Sequence, residues 1–233
     1  MAMREPGAQI ALPVSLDVEA RFETFHPGNN AAVIAALQAP ATPGIWLAGP
    51  PGSGRSHLLQ AVVAAAPAGA ALYLPLASGL PAAAVDGLGG ALTVCLDDVD
   101  VVAGDRDWET RLFALYEQLV RDGGCLIASA GARPAGAPFT LHDLVSRFAA
   151  LAPYRLQPPD DDTRLAALLL RAENRGLMLD AAAAQYLLRR LPRDLPRLFR
   201  WLQRLDAHAL VHQRRLTLPF VRGALDELGV GSE

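Results

Sequence analysis

Apolar and polar positions follow two different rhythms along this chain. Between residue 19 and about residue 156, short unbroken apolar runs alternate with stretches of helical spacing. "GIWLAG" (44–49), "ALYLPL" (71–76), "LTVCLDDVD" (92–100), "CLIASA" (125–130) and "YRL" (154–156) read as strands buried within a sheet. "RSHLLQAVVAAA" (55–66) reads as a helix. So does "WETRLFALYEQLVRD" (108–122), where Trp108, Leu112, Leu115 and Leu119 share one face and Gly123-Gly124 end the run. This alternation predicts an α/β domain with a parallel five-stranded sheet flanked by helices.

After "QPPDDD" (157–162) the strand rhythm stops and four helical segments follow, at about 162–176, 180–190, 194–212 and 217–228. Asp162, Asp180 and Asp194 are the expected N-caps, Thr217 stands two residues before Pro219, and Gly176 suits a C-cap. The expected organisation is a flexible tail (1–18), an α/β domain (19–157) and a small all-helical domain (158–233). No internal repeat is visible.

Charge changes this picture little. The 233 residues carry a net charge of −3, which does not mark a general polyanion binder. The basic residues are unevenly spread: residues 189–215 hold 8 Arg against 2 acids. All 21 basic residues are arginine. Such a stretch reads either as a solvated helix face or as a stripe that tracks phosphates on DNA. Cys95 and Cys125 lie in apolar strand runs and read as core residues of a reducing compartment, not as a disulfide or metal pair. The N-terminus has no signal layout, and the longest apolar stretch (61–77) is broken by Pro67, Gly69 and Pro75. A soluble, cytoplasmic protein is expected.

The first helix of the α/β region is preceded by "GPPGSGRS" (49–56), the outline of a phosphate-binding loop with Arg55 in the usual lysine position. A glycine-rich turn between strand and helix points backbone N–H groups at one spot, and the helix dipole adds positive charge there. Ser56 would place its hydroxyl on Mg²⁺. "LTVCLDDVD" supplies the second element: a strand tip where Asp97 is placed to hold the magnesium shell, and Asp98 follows where a water-activating glutamate is common. Each element alone has a plainer reading, a tight Gly/Pro turn or an acidic strand end. Asp98 is about one methylene short of a glutamate, and a base must come within roughly 3 Å of its water. Arg55 can hold a phosphate but is planar and bulkier than an ammonium. Nucleotide binding without efficient hydrolysis is the expectation. In a chain without lysine, compositional drift explains Arg55 as well as function does.

"GRSHLL" (54–59), "CLDDVDVVAG" (95–104) and "LIASAGARP" (126–134) resemble the AAA+ module of the bacterial initiator DnaA. "RFETFHPGNN" (21–30) is similar to the segment that borders the adenine, "HDLVSRF" (142–148) to the arginine-finger region, and the helical tail to the lid. The chain stops where an initiator would continue into a helix-turn-helix domain, and with Arg in the loop it resembles the Hda family of regulatory inactivators. The resemblance implies a P-loop AAA+ fold and a nucleotide, ADP or ATP, with Mg²⁺. It implies contacts from Gly49, Pro50, Pro51, Gly52, Ser53, Gly54, Arg55, Ser56, His57 and Asp97, from Ser129 as sensor 1 and from Arg197 as sensor 2. Ser56 and Asp97 would serve the metal. Pro196 falls on the sensor-2 position in the best register, with Arg197 beside it and Arg193 one turn earlier.

"QIALPV" (9–14) is similar to the sliding-clamp motif of that family, Gln-Leu-x-Leu-Pro-Leu. Gln9 would bond the pocket rim, Ile10, Leu12 and Val14 would supply the apolar anchors, and Pro13 would hold the peptide extended. By alternation alone, these residues are an ordinary edge strand. The implied function is regulatory inactivation of DnaA. The protein would hold ADP, bind the β clamp loaded on DNA, and promote hydrolysis of ATP on DnaA with Arg147 as the finger. DNA would be reached through the clamp, without membrane association, and homo-oligomerisation stays open. The plainer reading of Arg147 is a helix cap or an ion pair with Asp143. The alternative functions are an autonomous ATPase of the helicase-loader kind, or a DNA-binding replication module acting through the arginine-rich lid.

Overall fold

The computed structural model describes residues 16–192, 194–212 and 215–229, with the exposure of Gly89 and the side chain of His212 excepted. The motif at 9–14 and Arg193 lie outside the described residues.

Five parallel strands form one sheet in the order β2-β3-β4-β1-β5: β1 Gly44–Ala48, β2 Ala71–Pro75, β3 Thr93–Asp97, β4 Cys125–Ala130 and β5 Ala152–Arg155. Every residue of β1 and β4 is buried, which is why both read as continuous apolar runs. Alternate side chains go to opposite faces. Trp46, Val94, Leu96, Leu126 and Ala128 join one core, packed under α3 (Arg106–Arg121) and α4 (His142–Ala149). Ile45, Leu47, Cys95, Cys125 and Ile127 join the other, packed under α1 (Ala31–Gln38) and α2 (Arg55–Ala65).

The helix signals translate into observed caps. Trp108, Leu112, Leu115 and Leu119 are all buried on α3. Its end is a Schellman turn: Gly123 adopts φ 73°, and Gly124 N donates to Leu119 O at 2.7 Å. The final strand starts earlier than "YRL" implied. It takes in Pro153, which is tolerated because β5 is an edge strand paired only with β1.

The second body consists of α5 (Asp161–Asn174), α6 (Ala181–Arg190), α7 (Leu195–His212) and α8 (Leu218–Glu227) around their own core of Leu168, Leu187, Leu198, Leu202, Leu205 and Val221. The cap of α5 is Asp160, not Asp162. Two prolines hold the chain extended up to Asp160, whose carboxylate accepts from Thr163 N at 2.8 Å. Asp180 caps α6 as expected, accepting from Ala183 N at 2.6 Å, and its second oxygen accepts from Leu218 N at the start of α8. Thr217 precedes α8 but makes no side-chain cap bond.

Candidate functional site

A cavity of about 570 Å³ lies between the 49–56 loop, the segment 17–30 and helices α5 and α7. The loop owes its shape to glycine. Gly52 and Gly54 have φ of 76° and 99°, and a Cβ on Gly54 would lie 2.5 Å from Phe25 Cε2. Gly49 N donates to Ala130 O, which ties the loop to the tip of β4. Helix α2 begins at Arg55 with no side-chain cap, so its first amides have no partner within the helix. Residues 50–57 all line the cavity, and the buried hydroxyl of Ser53 finds no partner in the protein. Glycine cradle, open helix start and orphaned hydroxyl fit an anionic group of phosphate type.

Arg55 is part of that wall, and its guanidinium is engaged by protein groups. Its side chain is 11% exposed; Nη1 donates to Gly49 O and Nη2 pairs with Asp98 Oδ1 at 2.5 Å. Asp98 stands at φ 55°, the only described non-glycine residue with positive φ. Burial, followed by the neighbouring Asp97, pushes its carboxyl above the usual range, while Arg55 draws it down.

Asp97 is 3% exposed and does not line the cavity. One oxygen accepts from Ser129 Oγ at 2.5 Å, the other from Tyr73 OH at 2.8 Å. Ser129 Oγ in turn accepts from Asp98 N at 3.0 Å. Burial and Asp97 push the Tyr73 phenol well up, so it remains a donor. Among the described residues, no group of three or more His, Cys, Asp and Glu could hold a metal ion. Ser56 is exposed at the cavity wall, but Asp97, expected to complete a magnesium site, is buried off that wall and bonded to Ser129 and Tyr73, while Asp98 is paired with Arg55. The residues present do not fit a divalent cation.

Another wall of the cavity is built by the segment before α1. His57 Nε2 donates to Arg21 O at 2.9 Å and its ring lies 5.4 Å from that of Phe25. Burial lowers the His57 pKa, so the ring is neutral at pH 7. Buried Asn30 exchanges two hydrogen bonds with the backbone of Gln157, fixing the passage into α5.

On the lid side, Arg197 is 61% exposed, pairs with Asp194 at 3.8 Å and lies off the cavity wall. Pro196 and Arg200 line it instead, together with Arg171 and Arg175 of α5. The last two hold Glu19 between them: Arg175 Nη1 lies 2.7 Å from Glu19 Oε1, and Arg171 pairs with Oε2. Sequence reasoning passed over Glu19 and this pair, although Arg171 and Arg175 share a helix face at i,i+4 spacing.

Arg147 lies on α4, away from the cavity wall, 47% exposed and paired with Glu117 of α3 at 2.7 Å, not with Asp143. The start of α4 is fixed by Glu109, also overlooked. This fully buried carboxylate accepts from Gly104 N, Thr140 N, Thr140 Oγ1 and Leu141 N. Its spacing to Leu112 and Tyr116 on the inward stripe of α3 was the available signal.

A protein-family model described as "Hda, lid domain" matches residues 161–225. Domain III of the Thermotoga maritima replication initiation protein DnaA superposes with a TM-score of 0.74 at 21% identity, covering 92% of this chain and 98% of that one. AMPPCP-bound DnaA from Aquifex aeolicus gives 0.62 at 20% identity, covering 79% and 64%. The Thermotoga maritima RuvB Holliday junction branch migration motor gives 0.62 at 17% identity, covering 83% and 65%. At these identities the likeness to solved structures is one of fold.

Proposed function

We propose that this chain, whose residues 161–225 match an Hda lid domain and whose fold is that of DnaA domain III, is a regulatory inactivator of the replication initiator. In this reading it holds ADP, or ATP without turning it over, between the 49–57 loop and the lid. The tail residues Gln9, Ile10, Leu12, Pro13 and Val14 bind the sliding clamp on DNA in the cytoplasm. Arg147 enters the nucleotide site of ATP-bound DnaA and promotes hydrolysis there.

The observation that carries the proposal is the pairing of Arg55 with Asp98 beneath an Hda lid. The side chain in the base position is neutralised by the side chain in the lysine position. An own-site general base needs a free carboxylate beside its water, and Asp98 is occupied by a guanidinium. A nucleotide in this cavity would be held by backbone amides of the loop and would act as a structural ligand that orders lid and sheet. The exposed cation on α4 is then the group available for a partner's chemistry. A cation at the developing γ-phosphate charge contributes about 10³–10⁵ in rate.

The test is hydrolysis of initiator-bound ATP in the presence of clamp-loaded DNA. The wild-type protein should stimulate it while showing negligible turnover alone. Replacing Gln9 and Leu12 with Ala should abolish clamp co-elution and stimulation but leave nucleotide binding intact. Turnover by the isolated protein at ordinary ATPase rates would favour an autonomous motor instead, and mass analysis of the nucleotide that co-purifies would identify the resident ligand.

A further inference from the structure

We infer that Arg55 is an internal counter-ion standing in for the divalent cation, so that this site binds a nucleoside diphosphate without metal and gains nothing from a third phosphate. The inference rests on the nucleotide reading above and goes beyond it by setting the ligand's charge state and metal requirement.

Three carboxylates surround the tips of β3 and β4, and each is already engaged. Asp97 takes Ser129 Oγ and Tyr73 OH on its two oxygens and is shut from the cavity. Asp98 takes the Arg55 guanidinium at 2.5 Å. Asp100 Oδ2 accepts from Gly131 N at 2.9 Å, and the same spot lies near Arg55, whose Nη1 is 3.9 Å from the place of a Gly131 Cβ. Magnesium demands near-octahedral oxygen coordination at about 2.0–2.1 Å. Seating it beside Asp98 would bring it against a guanidinium, whose charge is permanent. A lysine could swing away on a flexible stem. Arg55, forked between Gly49 O and Asp98, is held by both arms.

The same fork removes the cation that reaches β- and γ-phosphates in an ordinary loop of this kind. What remains for a ligand is the ring of amides from 52 to 57, the helix dipole and the arginines of the lid wall, Arg171, Arg175 and Arg200. These can balance a diphosphate. A third phosphate would meet no unengaged loop cation and no metal.

Calorimetry on the full chain, stripped of nucleotide, tests this with ADP and ATP, each in excess EDTA and in Mg²⁺. The expected result is an ADP affinity that changes less than about twofold between EDTA and Mg²⁺, with ATP no tighter than ADP. Arg55→Lys should make ATP binding metal-dependent, at least about tenfold tighter with Mg²⁺ than with EDTA. Asp98→Asn, which releases Arg55 toward the loop, should raise ATP affinity relative to ADP without adding a metal requirement, and serves if the lysine variant does not fold. A tenfold loss of wild-type ADP binding in EDTA overturns the inference, and so does tighter wild-type binding of Mg²⁺-ATP. An ADP/ATP ratio unmoved in the variants overturns it too, leaving Arg55 a product of lysine loss. No binding under any condition defeats the nucleotide reading itself.

Discussion

Arg147 Nε and Glu117 Oε1 stand 2.7 Å apart, joining the last turns of α4 and α3, and the guanidinium lies 5.9 Å from the Phe113 ring centroid. Both side chains are more than a third exposed, so the pair contributes little to folding, on the order of 0.5 kcal/mol. It holds a cation in position on an accessible face. Arg147→Ala should therefore leave melting temperature and nucleotide affinity unchanged while lowering stimulation of initiator ATPase by about three orders of magnitude. Glu117→Gln should keep stimulation. Equal stimulation by the Arg147→Ala protein removes the finger assignment.

Glu19 joins the segment before α1 to the lid through Arg171 and Arg175. Arg175 also lies 3.4 Å from Asp206 of α7. All of these side chains are partly buried, so breaking the clasp leaves two cations poorly compensated. Glu19→Gln should lower stability by about 1–2 kcal/mol. Because Arg171 and Arg175 also line the cavity, loss of the Glu19 charge frees them for an anionic ligand, and nucleotide affinity should not fall with stability. Limited proteolysis should cut near the lid sooner in the variant, and equal cleavage rates would show that the clasp does not hold the lid.

Gly54 has φ 99° and stands against Phe25. Gly54→Ala adds both backbone strain and a collision, which together should destabilise by about 1–3 kcal/mol. Phe25, which also packs against His57, must shift, and this disturbs the cavity wall that both residues line. Nucleotide binding should fall further than stability does. Calorimetry against a thermal melt separates the two effects, and a variant with wild-type affinity would mean that the loop tolerates a Cβ here.

The sheet and the loop were legible because their signals are local. Buried parallel strands write themselves as unbroken apolar runs, and positive φ at Gly52 and Gly54 requires glycine. The lid site was not legible, and α7 shows why. Leu198, Leu202, Leu205 and Ala209 form its buried stripe, whereas Pro196, Phe199, Arg200 and Gln203 face the cavity. Arg197 is next to Pro196 in sequence but turned about 100° around the helix. The choice between Arg197 and Arg200 depends on how the lid docks on the loop, which no local pattern encodes. Similarly, the commitment of Asp97 to Tyr73 depends on β2 lying beside β3.

The two thiols give a check on the sheet. Burial pushes Cys125 up to about 11 and raises Cys95 further. At pH 8 the Cys125 thiolate fraction is then about one in a thousand. The native protein should be inert to a disulfide reagent at pH 8 and should release two equivalents once denatured. Rapid labelling of the native state would contradict the burial of both strands.

Glu109 gives the clearest pH dependence. Burial alone would raise its pKa, but hydrogen bonds from Thr140, Gly104 and Leu141 outweigh it and hold the carboxyl below its usual value of 4.5. A depressed folded pKa means that the stabilisation is complete above the unfolded value and is lost as pH falls through the folded one. Glu109→Gln replaces an acceptor-only group with one that turns a donor toward these N–H groups. At pH 7 it should cost about 2 kcal/mol, lowering the melting temperature by roughly 4–8 °C. The gap between variant and wild type should close as pH falls below about 4.5, because the wild type then loses the same bonds. Stimulation of initiator ATPase should drop at pH 7 as well, since Glu109 fixes the residues that start the helix of Arg147. A melting gap independent of pH would show that shape rather than charge holds this corner together.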